Sequence, residues 1–188
     1  MTLQPVFYFI YALVILAGAY FIFRIVVRGD YNRKSHLTPL SSTLELLVFG
    51  AYMCFPYVFN PADWVNFWEH IEFPHQIIGL VLILLGMGIA FGTMVWFGIR
   101  RAFGQEVNRL VVSGPYRLTR NPQVVGGYPM VIGVAVQWPS WYALGWVILW
   151  GVITHMMILT EEEHLLNVFG EEYAQYCKQV PRYISLPM

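Results

Sequence analysis

Apolar runs long enough to cross a bilayer, with every positive charge confined to alternate gaps between them, leave this chain very few ways to fold. The runs extend over about Val6–Val27, Leu40–Phe59, His75–Ile99, Val124–Trp138 and Trp141–Thr160. A membrane-crossing helix needs roughly 20 predominantly apolar residues. Five such helices take up about 100 residues of a 188-residue chain, and leave no room for a separate soluble domain. Charged residues make up 12%, where a soluble domain carries about a quarter. Aromatics reach 17%, which suits rings placed at headgroup level. The first run starts without a basic region before it or a small-residue cleavage site after it, and it reads as a retained helix.

The gaps fix the orientation. With five spans, the segment after the first run, the segment after the third and the C-terminal tail lie on one side. These segments and their edges hold Arg24, Arg28, Arg33, Lys34, Arg100, Arg101, Arg109, Arg117, Arg120, Lys178 and Arg182, which are all 11 Lys and Arg residues of the chain. Arg24, near the end of the first run, can snorkel to the interface, and a basic loop with Arg28, Arg33 and Lys34 is expected after it. The opposite gap, Asn60 to Pro74, carries Asp63, Glu69 and Glu72 and no base. The positive-inside rule then places the N-terminus outside and the C-terminus in the cytoplasm. The predicted fold is all-α: one integral membrane domain over residues 1–188, with three spans in 1–99 and a loop, helical hairpin and cytoplasmic-face C-terminal helix in 100–188. A multi-pass protein of a prokaryotic plasma membrane or of the endoplasmic reticulum fits. Cys54 and Cys177 have no partner at disulfide-framework or metal-ligand spacing, so both are expected to be structural and no metal is expected.

Two cytoplasmic segments stand out as chemistry. Leu110–Gly127 (LVVSGPYRLTRNPQVVGG) is broken by a Gly-Pro turn and a second proline. Its free backbone groups survive at membrane depth only if buried in protein or lining a cavity. Arg117 and Arg120 make it basic; the plain alternative is a surface loop rich in positive-inside arginines. Glu161, Glu162 and Glu163 stand at the end of the fifth run. Adjacent carboxylates repel one another unless cations meet them, and arginines of the first segment lie on the same side. The alternative is a solvated helix start favoured by the helix dipole. His155 and Glu45, inside apolar runs, need a partner or a cavity. Gly79, Gly86, Gly88, Gly92 and Gly98 give the third run a small-residue face suited to close packing. No P-loop, dinucleotide fingerprint or nucleophile elbow occurs, and nothing suggests nucleic acid.

GPYRLTRNP, a hairpin, EEEHLLNVFGEEYAQY and a terminal VPRYI together resemble the isoprenylcysteine carboxyl methyltransferase family and its phospholipid-methyltransferase-like relatives. The resemblance covers about Arg100 to Ile184; before that the chain matches in hydropathy alone. It implies an S-adenosylmethionine-dependent membrane enzyme that methylates a lipophilic acceptor, such as a prenylcysteine carboxylate, admitted from the bilayer. By position, Leu110, Val111, Gly114, Pro115 and Tyr116 would wrap the cofactor, Asn121 and Pro122 would follow them, and Glu162 would contact it. Tyr173 and Tyr176 would close over the pocket. Arg120, Glu161 and Glu162 would be catalytic, with Arg120 holding an anionic acceptor head and a glutamate taking a proton from an amine acceptor. Asn121 stands where eukaryotic members carry His, and Val124 where many carry Tyr. Carboxylate methylation needs no base, because that nucleophile is ionised at neutral pH. Two other readings are a sterol-reductase-like membrane enzyme using NADPH, which needs more spans, and a non-catalytic membrane assembly protein.

Overall fold

A computed structural model describes residues 4–59, 74–102 and 109–184, and the regular structure of the described residues is all helical, without strands. The acidic segment Asn60–Phe73 lies outside them.

Helix α1 (Gln4–Phe21) runs through a π-helical turn (Ile22–Val27) into α2 (Arg28–Lys34). The basic loop expected at Arg28–Lys34 is therefore helix. It stops where Ser35 adopts a left-handed conformation and its N–H bonds to the Tyr31 carbonyl. Asp30 explains why the chain turns there: its carboxylate accepts from the Thr38 backbone and hydroxyl and from the Ser41 hydroxyl, and pairs with Lys34. This network pins the start of α3 (Pro39–Phe59). Helix α4 spans Pro74–Phe97, and a short α5 spans Ile99–Ala102. A 3-10 turn at Gly114–Arg117 precedes α6 (Pro122–Gln137), α7 (Trp141–Phe169) and α8 (Glu171–Gln179). The fifth run does not end near Thr160. Its helix carries the glutamates on without a break and stops only at Gly170, whose φ of 52° favours glycine.

Among the described residues, three helical stretches are long and apolar enough to cross a membrane: Pro5–Lys34, Pro74–Phe97 and Trp141–Phe169. Their outward faces are apolar, with Phe9, Leu13, Leu84 and Val95 exposed, as lipid-facing surfaces require. The second and fourth runs form α3, of 21 residues, and α6, of 16 residues and with Pro129 inside it. At about 1.5 Å per residue, α6 falls short of a hydrocarbon core of about 30 Å.

Two packing units arise. In the first, α1, α3 and α7 share one core that includes Tyr8, Phe23, Tyr52, Phe55, Trp146 and Ile153. Its polar atoms pair across helices. The Tyr52 hydroxyl donates to the Trp146 carbonyl and the Trp146 indole N–H donates back to the Tyr52 carbonyl, each at 3.0 Å, with the rings stacked. In the second, α4 lies on α6 almost backbone to backbone. A Cβ on Gly79 would stand 2.5 Å from the Gly133 carbonyl oxygen, and one on Gly86 2.6 Å from that of Gly126. The seven-residue spacing on both helices is two turns, so the glycines meet in register. Gly88, Gly92 and Gly98 face open space, so the five glycines of the third run do not form one packed face. Gly86→Leu or Gly133→Leu is expected to lower stability by about 1–3 kcal/mol in a thermal melt in detergent, while Gly88→Leu leaves the melting temperature unchanged.

Candidate active site

An α-helix turns about 100° per residue, so three consecutive glutamates on α7 point in three directions. Each meets different company. Glu163 faces α1 and α2: Arg24 Nη2 lies 2.7 Å from its Oε1 and Arg28 Nε 2.9 Å from its Oε2, and Arg24 also donates to Thr160 Oγ1. Glu162 faces the C-terminal segments. Arg120 Nη1 stands 3.1 Å from Oε1, and Arg182 donates through Nε and Nη2 at 2.6–3.1 Å to both oxygens. These side chains are mostly buried, which makes such charge-assisted bonds strong. Glu161 makes no hydrogen bond or ion pair among the described residues. Its charge acts instead on Tyr116 of the 3-10 turn, Tyr31 of α2 and Glu45 of α3.

The Leu110–Gly127 segment is held against α7 and the tail by a strap of short bonds. Gly114 has φ 58°, and any Cβ there would strike the Trp96 ring at 2.6 Å. Conformation and space both demand glycine. Tyr116 then packs beside Trp96 and Phe97. The Arg120 N–H donates to the Pro181 carbonyl at 2.9 Å. Thr119 Oγ1 and Asn121 Nδ2 both donate to the Arg182 carbonyl at 3.0 Å, and the Tyr176 hydroxyl donates to the Tyr116 carbonyl at 2.7 Å. Tyr173 and Tyr176 are buried with Leu110, Leu165, Phe169 and Cys177 around them, and Arg120 also donates to Cys177 Sγ. Burial pushes the Tyr176 phenol up to about 12, and the Tyr116 and Tyr173 phenols higher still. All three are neutral donors at physiological pH, not bases.

Of the residues read from sequence, the structure gathers Leu110, Tyr116, Arg120, Asn121, Glu162, Tyr173 and Tyr176 into one connected cluster. Glu161 borders it through Tyr116. Pro122 is buried at the start of α6. Gly114 abuts Trp96, away from the glutamates, and Val111 and Pro115 are partly buried beside it without a polar role among the described residues. His155 has its partner: its Nδ1 is 3.0 Å from the Tyr183 hydroxyl. Sequence reasoning gave no role to Arg182, Thr119 or Tyr183. For Arg182 and Tyr183 the signal was the terminal VPRYI, which supplies the two carbonyls and the guanidinium of the strap, and Thr119 lies inside GPYRLTRNP.

The family profile of phospholipid methyltransferases matches residues 74–172. A protein-S-isoprenylcysteine O-methyltransferase of Schizosaccharomyces pombe is 30% identical over 166 residues, covering 82% of this chain and 69% of that protein. The chain belongs to the phospholipid methyltransferase family. Its reaction class is methyl transfer in a membrane. A phosphatidylethanolamine N-methyltransferase B of Dictyostelium discoideum is 29% identical over 109 residues, 53% of this chain and 54% of that one. The cobalt-zinc-cadmium resistance protein CzcN of Cupriavidus metallidurans is 26% identical over 104 residues, 55% and 48% of the two chains. The chain thus spans about two thirds of the fission-yeast protein and about half of the other two. No solved structure matches it. The similarity reaches further toward the N-terminus than the span Arg100–Ile184 carried by the sequence motifs.

Glu162 is the knot of the strap, and removing its charge leaves two guanidinium groups facing each other. Glu162→Gln is expected to cost about 1.5–3 kcal/mol, read as a lower melting temperature together with faster amide exchange at Val180–Tyr183. Unchanged exchange there would mean that the strap is held elsewhere.

Proposed function

We propose that this protein moves the methyl group of S-adenosylmethionine to a lipophilic acceptor at the cytoplasmic face of a single five-span membrane domain. In this reading α3 and α6 are the second and fourth spans, the N-terminus is outside, and residues 100–188 form the donor side. The donor wall comprises Leu110, Val111, Gly114, Pro115, Tyr116, Asn121 and Pro122, with Tyr173 and Tyr176 closing it and Glu162 fixing it in place.

The observation that carries this reading is the unpaired carboxylate of Glu161. Two of the three adjacent glutamates have their own arginines, and the third is left beside the Gly-Pro turn without one. Unpaired donors accompany it on the same side: Arg120 Nε and Gln123 Nε2 are buried without a partner among the described residues. A buried polar atom without a partner costs about 1–3 kcal/mol, so these atoms fit a ligand that brings both a cation and hydrogen-bond acceptors. S-adenosylmethionine has that character, with a sulfonium, a carboxylate and ribose hydroxyls, and when bound it supplies an electrophilic methyl group.

The chain's own residues do the remaining work. Glu161 offers negative charge, and it is the carboxylate able to accept a proton, since Glu162 and Glu163 are committed to arginines. Arg120, engaged through Nη1 by Glu162 and Cys177, holds Glu162 and has a buried Nε left for a ligand. The neutral phenols of Tyr116, Tyr173 and Tyr176 exclude water and anchor the loop, and transfer gains chiefly from positioning in such a site. The relatives' acceptors, a prenylcysteine carboxylate and a phospholipid amine, each join a polar head to apolar chains, and either would approach from the bilayer.

Calorimetric titration of the detergent-solubilised protein is expected to show binding of S-adenosylmethionine and none of NADPH. Binding of NADPH alone would indicate a reductase, and binding of neither a non-catalytic protein. Glu161→Gln is expected to slow methyl transfer by about a hundredfold or more with no loss of melting temperature, because Glu161 holds no partner in the fold. A variant that keeps full activity contradicts the assignment.

A further inference from the structure

The inward side of the Gly-Pro turn belongs to the site described above, but its outward side has no role there. That outward side is apolar and basic. Leu118, which closes the 3-10 turn, is 74% exposed, and Val112 just before the turn is exposed as well. Arg109 and Arg117 are exposed, and neither has a hydrogen bond or an ion pair among the described residues. Residues three apart eclipse in a 3-10 helix, so Arg117 stands over Gly114, on the side where that glycine meets the Trp96 ring. Trp96 is half-exposed, and Val95 beside it is 73% exposed, at the end of α4. Tryptophan at the end of a membrane helix sits at headgroup level, and Arg100 and Arg101 follow it directly. The apolar surface that α4 shows to lipid therefore continues through Trp96 onto the turn.

The other side of the same cluster is different. Helix α8 buries Tyr173 and Tyr176 and exposes Glu171, Glu172, Gln175, Lys178 and Gln179, a surface suited to water. The turn instead joins two large aliphatic side chains to two cations. Arg24, Arg28, Arg120 and Arg182 are matched by glutamates, whereas Arg109 and Arg117 leave uncompensated positive charge beside Val112 and Leu118. A guanidinium pairs readily with a phosphate, and each arginine near an anionic bilayer surface strengthens attachment about fivefold. A soluble phosphate or an acidic peptide would satisfy the arginines but leave Val112 and Leu118 in water. A leaflet satisfies all four side chains. Behind them, Thr119, Arg120 and Asn121 are bonded to the tail and the Tyr116 carbonyl to Tyr176. Whatever steadies the turn from outside thus steadies the strap behind it.

We propose that Arg109–Leu118 is a membrane-docking element for anionic phospholipid: Val112 and Leu118 enter the leaflet at the glutamate end of α7, Arg109 and Arg117 hold lipid phosphates, and the docked turn tightens the donor pocket. The docking does not rest on the function proposed above, whereas the tightening does. Amide exchange at Val112–Thr119 is therefore followed without S-adenosylmethionine, on the full-length protein in nanodiscs of phosphatidylcholine alone or mixed with phosphatidylglycerol. Exchange is expected to be about fivefold or more slower in the mixed nanodiscs. The double variant Arg109→Gln, Arg117→Gln removes that contrast, and Leu118→Ser speeds exchange in both membranes. These side chains are exposed and unpaired, so exchange in α7 stays as in the wild type. S-adenosylmethionine is expected to bind the wild type more tightly in the mixed nanodiscs and the double variant equally in both. Equal exchange of the wild type in the two membranes, or a contrast that survives the double variant, would overturn the docking. Soluble glycerol phosphate reproducing the protection in neutral nanodiscs would overturn it too, in favour of a phosphate site. Equal donor affinity in both membranes, with the exchange contrast intact, would overturn the tightening alone. No donor binding in either membrane, with that contrast intact, would overturn the donor assignment and leave the docking standing.

Discussion

The attachment of the Gly-Pro segment and the tail to α7 depends on Glu162 being held between Arg120 and Arg182. That carboxylate joins α7 to the irregular Gly-Pro segment and to the tail, beside the small apolar cluster of Leu110, Leu165, Phe169 and Val180 that these stretches share. Without it, the Arg182 carbonyl would not sit where Thr119 and Asn121 donate to it, and the Arg120 N–H would lose Pro181. The tyrosine cluster would then have only van der Waals contact to hold a loop rich in glycine and proline. Apolar burial drives association poorly at a boundary where lipid and water both compete, so charge-assisted bonds set the geometry.

The neighbouring glutamates divide the remaining tasks. Glu163 draws the N-terminal helix onto α7 through Arg24 and Arg28, where Tyr31 stacks on His164. Glu161, about 100° around the helix from Glu162 and about 160° from Glu163, belongs to neither structural ion-pair set. A run of three identical residues thereby yields two fasteners and one carboxylate that holds no partner among the described residues. The helix continues rigidly from the bilayer through this region to Gly170, so the spacing between the fasteners and the open carboxylate does not vary.

Much of this was legible in the sequence, and the rest was not for definable reasons. Run length and charge placement announced a helical membrane protein, and the GPYRLTRNP and EEEH motifs brought Arg120, Asn121, Tyr116 and Glu162 to one place, because each motif carries local turn and charge information. The end of the first helix was misjudged because Arg28, Arg33 and Lys34 look like a loop by hydropathy, yet a helix leaving the membrane keeps its internal bonds as long as its side chains tolerate water. The partners of the glutamates were only partly legible. The sequence pointed to arginines of the Leu110–Gly127 segment, and Arg120 is one; but Arg24 and Arg28 arrive from more than 130 residues away, and hydropathy has no means of naming a partner at that distance. The five glycines of the third run likewise looked alike, and only the facing Gly126 and Gly133 distinguish the two that pack.

The most direct measurement is an electron cryo-microscopy map of the protein in a lipid nanodisc with S-adenosylmethionine added. The arrangement described here places density for the donor beside Tyr116 with its sulfonium toward Glu161, while Glu162 remains between Arg120 and Arg182 and Glu163 stays on Arg24 and Arg28. An arginine side chain seated on Glu161, or donor density away from the Gly-Pro turn, would contradict it.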